Sequence, residues 1–321
     1  MADGAVLTQR VALLGMAHPH AADHLVVVRA DPTTELVAVY DRDPSNVAAH
    51  GELPTSRSPS WAMSNADVAV VASTTAEHVE LVSMATGAGL AVFVEKPLAT
   101  NAAAAAVLAA LVDAAGVPFA TGMFLRCLPA LIRVRTLLAD GSLGQLSAAH
   151  ARFTHPGLYD ETFTGPAAWM HDLDQGATGG FADLGIHVVD ALRWLRPGAP
   201  LTVLGARLQR LPGHDLDVGG AALLDWAGTP TTVHAGWTGR PGGLHLHVEG
   251  NVGSVTVQDG TLTLRTEDVT ITEPGDPPRA GAALAAFLAD LRGERQWVPP
   301  TTSDAVAVAE ILDTIARAPI G

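Results

Sequence analysis

Short apolar runs that alternate with helical patterns constrain the first 122 residues of this 321-residue chain more than any other feature. The runs are almost unbroken in their apolar character, as expected of strands in a parallel sheet covered on both faces. Strands that alternate with helices at this spacing are typical of a doubly wound α/β domain. The predicted strands are Arg10–Gly15, Leu36–Tyr40, Asp67–Ala72, Leu90–Val94 and Pro118–Gly122.

The helical patterns between these runs carry their own boundary signals. Thr100 or Asn101 is suited to cap the last helix, and Gly116 follows its end, where a left-handed residue is favoured. Five strands leave room for a sixth, which we expect from a later part of the chain. The predicted helices of this half are His20–Ala30, Ala76–Ala88 and Asn101–Ala115.

The alternation of apolar runs with helical patterns ends after a connecting helix predicted over Leu128–Leu138. Alternating apolar and polar residues separated by Gly, Pro and Asp turns indicate one open, mainly antiparallel sheet, so an α+β domain follows the α/β domain. Its predicted strands are Leu201–Leu208, Ala221–Trp226, Thr231–Trp237, Leu244–Glu249 and Ser254–Gln258. Its predicted helices are Gly180–Leu195, Ala280–Leu291 and Ser303–Arg317, of which the last two are expected to pack back on the first domain. We therefore predict two domains, residues 1–122 and 123–321.

Composition excludes several classes of protein. The 33 acidic and 19 basic side chains give a net charge of −14, which argues against binding to nucleic acid and against binding to an anionic membrane surface. Apolar residues make up 48% of the chain and charged residues 16%, so the chain can bury a large core. The single cysteine, Cys127, excludes an internal disulfide and a cysteine-based zinc site. Without a signal-peptide pattern or a long uncharged apolar stretch, the chain is expected to be a soluble cytoplasmic protein.

The basic residues are 18 arginines and one lysine, Lys96. In a chain so rich in arginine, a lysine that arginine could replace would tend to be lost, so Lys96 is the first position to examine. It lies in Glu95-Lys96-Pro97, directly after the fourth predicted strand. Ligands of open α/β sheets bind outside the carboxyl ends of the strands, and a charged pair at the end of a buried strand is costly unless it is partnered or functional.

The first strand-to-helix turn reads Gly15-Met-Ala-His-Pro-His20. A dinucleotide-binding turn requires glycine at its first, third and sixth positions, and here only Gly15 fits, since Ala17 and His20 occupy the others. A plain turn is therefore an alternative, although a pyrophosphate could still lie on the helix N-terminus, with His18 or His20 as an added donor. These histidines and His24 could also suggest a metal site, but no carboxylate partner is evident, and we predict no metal.

Asp41 ends the second predicted strand and is followed by Arg42. An acidic residue at this place accepts hydrogen bonds from the adenosine ribose and favours NAD, whereas a neighbouring arginine can pair with the 2′-phosphate of NADP. A simple turn aspartate is the alternative. The sequence favours NAD, with NADP possible.

The helix embedded in the second half begins Thr178-Gly-Gly-Phe-Ala-Asp183-Leu-Gly-Ile-His187. Asp183 and His187 are four residues apart, so they lie one above the other on the same helix face. A histidine oriented by an aspartate is the general-base arrangement that alcohol oxidation needs, while a buried helical pair is the alternative. The two glycines allow the backbone to approach another segment closely.

In these motifs the chain resembles the glucose–fructose oxidoreductase / inositol dehydrogenase / rhizopine-catabolism (Gfo/Idh/MocA) family over nearly all of its length. The motifs follow one another in the family's order and spacing. They are Glu95-Lys96-Pro97, Gly179-Gly180-x-x-Asp183-x-Gly185-x-His187-x-x-Asp190, Ser73 with His78, Arg126-x-x-Pro129, and Trp169-x-x-Asp172. The resemblance implies a Rossmann dinucleotide-binding domain, a substrate-binding and oligomerisation domain with an open sheet, and a homodimer or homotetramer.

The resemblance also implies roles for individual residues. His187 would take the proton from a substrate hydroxyl as hydride passes to nicotinamide, Asp183 would orient His187 or share its proton, and Lys96 would stabilise charge on the same oxygen. The implied cofactor-binding residues are Gly15, Ala17, His18, Pro19, His20, Asp41, Arg42, Ser73, His78, Glu95, Lys96 and Arg126. The implied substrate contacts are Lys96, Tyr159, Trp169, His171, Asp172 and His187.

The leading hypothesis is an NAD(P)-dependent oxidoreductase that acts on a sugar, a cyclitol or a related hydroxy or keto compound. Some relatives instead retain NAD and cleave glycosides by oxidation and elimination, and others of this fold are cofactor-sensing regulators without catalysis. The chain departs from the family at Ala17 and His20, and at the apolar Met123 and Phe124, where polar residues are common.

Overall fold

A computed structural model describes residues 8–294 and 297–318 and divides the chain into two compact units. The first unit comprises the chain up to Gly122, together with Thr164–Ala177 and Ala280–Val306. The second comprises Met123–Phe163, Thr178–Arg279 and the chain from Ala307 onward. The segment Thr164–Ala177, which carries several implied substrate contacts, therefore belongs to the first unit.

The first unit contains a six-stranded parallel sheet with the strand order β3-β2-β1-β4-β5-β6. Residues Val11–Leu14 and Val68–Val71 are at most 1% exposed, as the unbroken apolar runs predict. The strands are β1 (Gln9–Leu14), β2 (Thr34–Tyr40), β3 (Thr55–Ser56), β4 (Val68–Val71), β5 (Ala91–Val94) and β6 (Phe119–Thr121). The helices are α1 (Ala21–Ala30), α2 (Pro44–Ala48), α3 (Pro59–Met63), α4 (His78–Gly87), α5 (Ala102–Ala115) and, from the later segment, α8 (Ala282–Leu291), with 3-10 turns at Thr75–Glu77, Gly165–His171 and Leu173–Gln175.

The five predicted strands are confirmed, but the expected origin of the sixth strand is wrong. It is β3, which consists of only two residues and pairs with the end of β2. So short a strand has no periodicity to detect, because the alternation of side chains becomes visible only over several residues. The predicted caps of α5 are confirmed: the Asn101 side chain accepts the Ala104 N–H at 2.9 Å, and Gly116 is left-handed with φ +64°.

The second unit contains an eight-stranded sheet with the order β14-β13-β12-β11-β7-β10-β9-β8. Its strands are β7 (Leu146–Thr154), β8 (Leu201–Gln209), β9 (Gly219–Trp226), β10 (Thr229–Gly236), β11 (Gly243–Gly250), β12 (Gly253–Gln258), β13 (Thr261–Thr266) and β14 (Thr270–Glu273). A 3-10 turn at Phe124–Cys127 leads into α6 (Pro129–Ala139), and α7 (Gly180–Leu195) follows β7. The last helix, α9 (Thr302–Ala316), begins in the first unit and ends in the second.

This sheet is mainly antiparallel, as predicted, with one parallel pair formed by β7 and β10. The helix α7 packs on β7, β9 and β10 and covers one face. Leu244, Leu246 and Val248 point to the buried face, whereas His245 and His247 lie on the opposite face and are half-buried. Within the described part of the chain, the helices are all too short or too polar to cross a membrane.

Candidate active site

The turn between β1 and α1 requires glycine at its first position. Gly15 has φ +101°, and a Cβ atom there would collide with the backbone of Ser73 at the end of β4. The Gly15 N–H donates to the Tyr40 carbonyl at 2.6 Å, and the His18 N–H donates to the Ala72 carbonyl at 3.0 Å. The turn is therefore held at the carboxyl ends of the neighbouring strands β2 and β4.

The N-terminus of α1 retains the features of an anion site despite the changed glycine pattern. The side chain of the N-cap residue, His20, makes no capping hydrogen bond to the helix. The amide groups of a helix's first turn point toward an anion, and the helix dipole favours it. Asp41, at the end of β2, accepts the Met16 N–H at 2.6 Å, so the ribose-binding candidate is fixed to the same turn. These residues fit the adenosine and pyrophosphate parts of a dinucleotide.

Three histidines surround the carboxylate of Glu95, which is fully buried. His24 Nε2 lies 2.5 Å and His20 Nδ1 3.3 Å from Glu95 Oε1, and His18 Nε2 lies 3.8 Å from Glu95 Oε2. Burial opposes ionisation, but His18 and His20, with hydrogen bonds from His20 and His24, lower the pKa of Glu95 well below its usual range. Glu95 is therefore an ionised carboxylate in a histidine cluster.

This cluster supplies the carboxylate that the sequence did not reveal beside the histidines. Ligand atoms of His18, His20 and Glu95 lie within 4.8 Å of one another, a spacing that a metal ion could draw together. However, His18 Nδ1 accepts the His20 N–H at 3.1 Å, which places the proton of a neutral His18 on Nε2, toward the Lys96 carbonyl at 3.2 Å. Burial lowers the pKa of His18 well below its usual value, against the opposing effect of Glu95, which favours this neutral form. The contacts form a hydrogen-bond network. A metal ion bound at His18 Nε2 would have to displace the proton on that nitrogen.

Lys96 follows β5 and is 3% exposed. Its N–H donates to Glu95 Oε2 at 2.9 Å, and the Lys96–Pro97 peptide bond is cis. The ring of His78, which is fully buried, contacts the Pro97 carbonyl through Nδ1 at 3.1 Å. His78, which resemblance assigned to cofactor binding, thus supports the segment that carries Lys96.

Trp169 contacts the turn between β1 and α1. Its indole N–H donates to the Ala17 carbonyl at 2.9 Å, and its ring lies 6.2 Å from that of His18. His171 and Asp172 are exposed in the same segment. Tyr159, in contrast, belongs to the second unit and is 55% exposed beside Arg240. Of the six residues implied as substrate contacts, these four are therefore divided between the two units.

The two glycines at the start of α7, Gly179 and Gly180, allow the helix to begin against the segment that precedes β9. A Cβ atom on Gly180 would meet the Val218 backbone, and one on Gly179 would meet the Asp217 carboxylate. Asp217 Oδ1 accepts the Phe181 N–H at 2.7 Å, so a residue distant in sequence caps this helix. Asp217 is 8% exposed, and burial raises its pKa to about 6.

Asp183 and His187 are both buried on α7, at 5% and 1% exposure. The indole N–H of Trp237 donates to Asp183 Oδ2 at 2.8 Å and fixes this carboxylate. The His187 ring lies 4.3 Å from the ring of Phe124 and 5.8 Å from that of Phe153. The helical spacing therefore places an oriented carboxylate and an imidazole on one face, beside apolar walls.

Arg126 is bound to α7 by an ion pair. Its guanidinium binds Asp190 through two hydrogen bonds, Nε to Oδ2 at 2.8 Å and Nη2 to Oδ1 at 2.6 Å, and both side chains are at most 2% exposed. These contacts anchor α7 to the 3-10 turn before α6, while the cofactor role implied for Arg126 stays a prediction. The neighbouring Cys127 has its pKa raised to about 12 by burial, which suits core filling and not a reactive thiol.

Comparison with known protein families covers both halves of the chain. Residues 9–123 match the family model described as "Oxidoreductase family, NAD-binding Rossmann fold", and residues 131–256 match the "GFO/IDH/MocA C-terminal domain". The chain belongs to the Gfo/Idh/MocA family of oxidoreductases. The predicted family, the fold class and the NAD(P) cofactor are thereby confirmed, and the protein is an NAD(P)-binding oxidoreductase.

Several members of this family resemble the chain. It is 31% identical over 185 residues to trans-1,2-dihydrobenzene-1,2-diol dehydrogenase of Oryctolagus cuniculus, an alignment that spans 53% of this chain and about half (51%) of that enzyme. It is 28% identical over 341 residues to dTDP-3,4-didehydro-2,6-dideoxy-alpha-D-glucose 3-reductase of Streptomyces violaceoruber, which covers 96% of this chain and 95% of that one. Among solved structures, GenD2 from gentamicin A biosynthesis in complex with NAD is 26% identical with a TM-score of 0.80, covering 99% of this chain and 96% of that one.

The residues that sequence reasoning missed in this Gfo/Idh/MocA member are partners of those it found. Glu95 was read as one half of a charged pair with Lys96 and, by resemblance, as a cofactor-binding residue, and its side-chain contacts to the histidines were not foreseen. Trp237 donates a hydrogen bond to Asp183, from which it is 54 residues away in the chain. Asp217 accepts one from the Phe181 N–H at the start of α7, 36 residues earlier in the chain. In the sequence, only the glycine pair at the start of α7 indicated that another segment approaches this helix closely.

Proposed function

We propose that this protein transfers hydride between NAD(P) and a hydroxyl- or keto-bearing carbon of a sugar, cyclitol or related small molecule, as a homodimer or homotetramer. The observation that carries the proposal is the buried Asp183–His187 pair on one face of α7, in a chain of an NAD-binding oxidoreductase family. The names of similar proteins support the substrate class, because they include a dideoxyglucose 3-reductase, an apiose dehydrogenase and an inositol dehydrogenase.

His187 is the proposed proton acceptor for a substrate hydroxyl, and it returns the proton in the reverse direction. Bound NAD(P) supplies the hydride acceptor or donor at its nicotinamide ring. Asp183 orients the His187 imidazole or takes part of its proton, and Trp237 holds the Asp183 carboxylate in place through the 2.8 Å hydrogen bond. The phenyl rings beside His187 restrict water around the base, which strengthens its electrostatic interactions with a bound substrate.

Lys96 is the proposed stabiliser of negative charge on the same substrate oxygen. It follows the carboxyl end of β5, the edge at which open α/β sheets bind their ligands. An ammonium group is compact and delivers its charge to one oxygen, whereas the guanidinium of arginine is planar and bulkier. This difference accounts for a single lysine at this position in a chain that otherwise uses arginine.

The experiment begins with thermal-shift titration of the wild-type protein against NAD+, NADH, NADP+ and NADPH. Stabilisation by at least one of them is expected, because a ligand that binds only the folded state raises its stability. A panel of aldoses, ketoses and cyclitols then identifies a compound that changes nicotinamide absorbance at 340 nm. Product formation without net NADH would favour the elimination chemistry of cofactor-retaining relatives.

With that compound, Lys96→Ala is expected to slow single-turnover hydride transfer by roughly 100-fold or more, in the range reported for lost electrostatic stabilisation. The dissociation constant for NADH is expected to stay within about threefold of the wild-type value, as for loss of an interaction made in the transition state. Equal hydride-transfer rates in wild type and variant would remove Lys96 from the mechanism. If none of the four dinucleotides stabilises the wild-type protein, the oxidoreductase proposal as a whole is refuted.

A further inference from the structure

The arginine that follows β2 is bound by two carboxylates from the segment after β4. Arg42 Nε lies 2.6 Å from Glu77 Oε1, and Arg42 Nη2 lies 3.0 Å from Glu80 Oε2. Glu77 lies in the 3-10 turn before α4 and Glu80 in the first turn of α4. The guanidinium is thus engaged on two sides, although 64% of the side chain is exposed.

The charges around this arginine are unbalanced in favour of anions. Asp41, Glu77 and Glu80 supply three carboxylates against the one guanidinium of Arg42, which leaves a net charge of −2. Burial and the negative charges of Asp41 and Glu80 raise the pKa of Glu77, while Arg42 opposes that rise. Glu77 therefore lies within electrostatic range of each of the other three groups.

Asp41 itself is committed to the backbone around it. Its Oδ2 accepts the Met16 N–H at 2.6 Å, and its Oδ1 accepts the Asp43 N–H at 2.8 Å and Asn46 Nδ2 at 3.1 Å. With 9% exposure, this carboxylate is fixed at the end of β2 and cannot swing away from an added phosphate. It is a rigid negative charge where dinucleotide-binding folds place the adenosine ribose.

We propose that Glu77 and Glu80 determine cofactor selectivity by holding Arg42 in an ion-pair network, so that the protein prefers NAD over NADP. A 2′-phosphate adds a strongly negative group beside the ribose, and an arginine near the end of β2 is what commonly accommodates it. Here that arginine already pairs with two carboxylates, and binding NADP requires it to leave them. The inference rests on the cofactor site of the proposed function and adds two residues to it.

The test measures binding of NADH and NADPH by nicotinamide fluorescence titration, with wild type, Glu77→Gln/Glu80→Gln and the same double variant carrying Arg42→Ala. Wild type is expected to bind NADH more tightly. The double variant removes two negative charges and frees the guanidinium, so its NADPH dissociation constant is expected to fall by roughly tenfold, since each removed charge is worth a few-fold at this range in water. Its NADH dissociation constant is expected to change by less than about threefold.

The added Arg42→Ala change is expected to remove most of the gain in NADPH affinity, because the gain depends on the freed guanidinium. Asp67→Asn is the matched control: it breaks another exposed arginine–carboxylate pair of the first unit, at the amino end of β1, where Arg10 and Asp67 are each 45% exposed. This control is expected to leave the ratio of the two dissociation constants unchanged. Circular dichroism and the single variant Glu80→Gln, at a residue whose side chain is 61% exposed, verify that a changed ratio does not come from misfolding.

Two results would overturn the inference while leaving the proposed function intact. One is a wild-type protein that binds NADPH as tightly as NADH, and the other is a double variant whose affinity ratio equals that of wild type. If wild type binds neither NADH nor NADPH, the proposed function fails together with the inference. The binding measurement needs no substrate, so its outcome does not depend on finding one.

Discussion

Removing Asp190 tests the energetic role of the ion pair that joins Arg126 to α7. In Asp190→Ala the guanidinium of Arg126, only 2% exposed, loses two short hydrogen bonds and remains charged in the interior. Breaking one partner of such a buried pair costs about 3–5 kcal/mol, because the remaining charge loses its ion-pair partner in the interior. For a unit of this size 1 kcal/mol corresponds to about 2–4 °C in Tm, so a fall of about 6–20 °C is expected.

Differential scanning calorimetry and urea denaturation measure this loss. Asp160→Ala is the matched control in the same unit, because Asp160 and Arg240 form an ion pair whose side chains are 49% and 59% exposed. Exposed pairs contribute at most about 1 kcal/mol, so this control should lower Tm little. A double variant, Arg126→Met with Asp190→Leu, removes both charges and should recover at least half of the lost stability, since apolar replacement of a buried pair is often neutral. If the free energy of unfolding of Asp190→Ala lies within about 1 kcal/mol of the wild-type value, the reasoning about the lost buried ion pair is refuted.

Two further predictions concern the residues that hold the start of α7. Because burial raises the pKa of Asp217 to about 6, the folded protein binds this proton more tightly than the unfolded chain, and stability should fall as pH rises from about 4 to about 6, by up to about 3 kcal/mol. Asp217→Asn keeps an oxygen for the Phe181 N–H and should remove that part of the pH dependence, measured by urea denaturation at pH 4 to 7. Trp237→Phe removes the donor to Asp183 but keeps a ring beside Phe163, 4.6 Å away. It should lower kcat by roughly tenfold and shift its pH profile, since hydrogen bonds to charged groups contribute about 1.5–3 kcal/mol.

Each of these two predictions has its own refuting outcome. An unchanged pH dependence in Asp217→Asn would mean that the proton uptake on folding belongs to other groups. For Trp237→Phe, the readout that separates positioning from general stability is NADH affinity, which should remain at the wild-type value. A loss of kcat without any shift of its pH profile would contradict a role for Trp237 in setting the Asp183 charge.

The sequence predicted the elements whose signals are local. The parallel strands are buried on both faces, so their apolar runs are continuous, and α5 carries both an asparagine cap and a left-handed glycine. In contrast, β7 (Leu146–Thr154) was not predicted, because three alanines and an arginine blur its alternation. Its strand character comes from its neighbours, since it pairs with β10 on one side and β11 on the other. Strand pairing between segments 80 or more residues apart in the chain cannot be detected from a short stretch of sequence.

The candidate site shows the same division between local and distant determinants. The spacing of Asp183 and His187 follows from helix geometry and could be read directly. The orientation of Asp183 could not, because Trp237 lies on the far side of β10 in sequence and no periodicity links the two. Likewise, the sequence showed that Gly179 and Gly180 admit a close neighbour but not that this neighbour is the segment beginning at Asp217.

Two anomalies of the first unit have a common physical explanation. His20 occupies the position where the dinucleotide-binding turn usually has its third glycine, and Glu95 is a fully buried carboxylate. A buried carboxylate without partners is strongly unfavourable, so its presence requires donors from the elements around it. His24 on α1 provides one at 2.5 Å, and His20 provides a second at 3.3 Å that glycine could not supply. Judged by its motif, the turn has lost a cofactor-binding glycine; judged by its contacts, it has gained a partner for the residue that precedes Lys96.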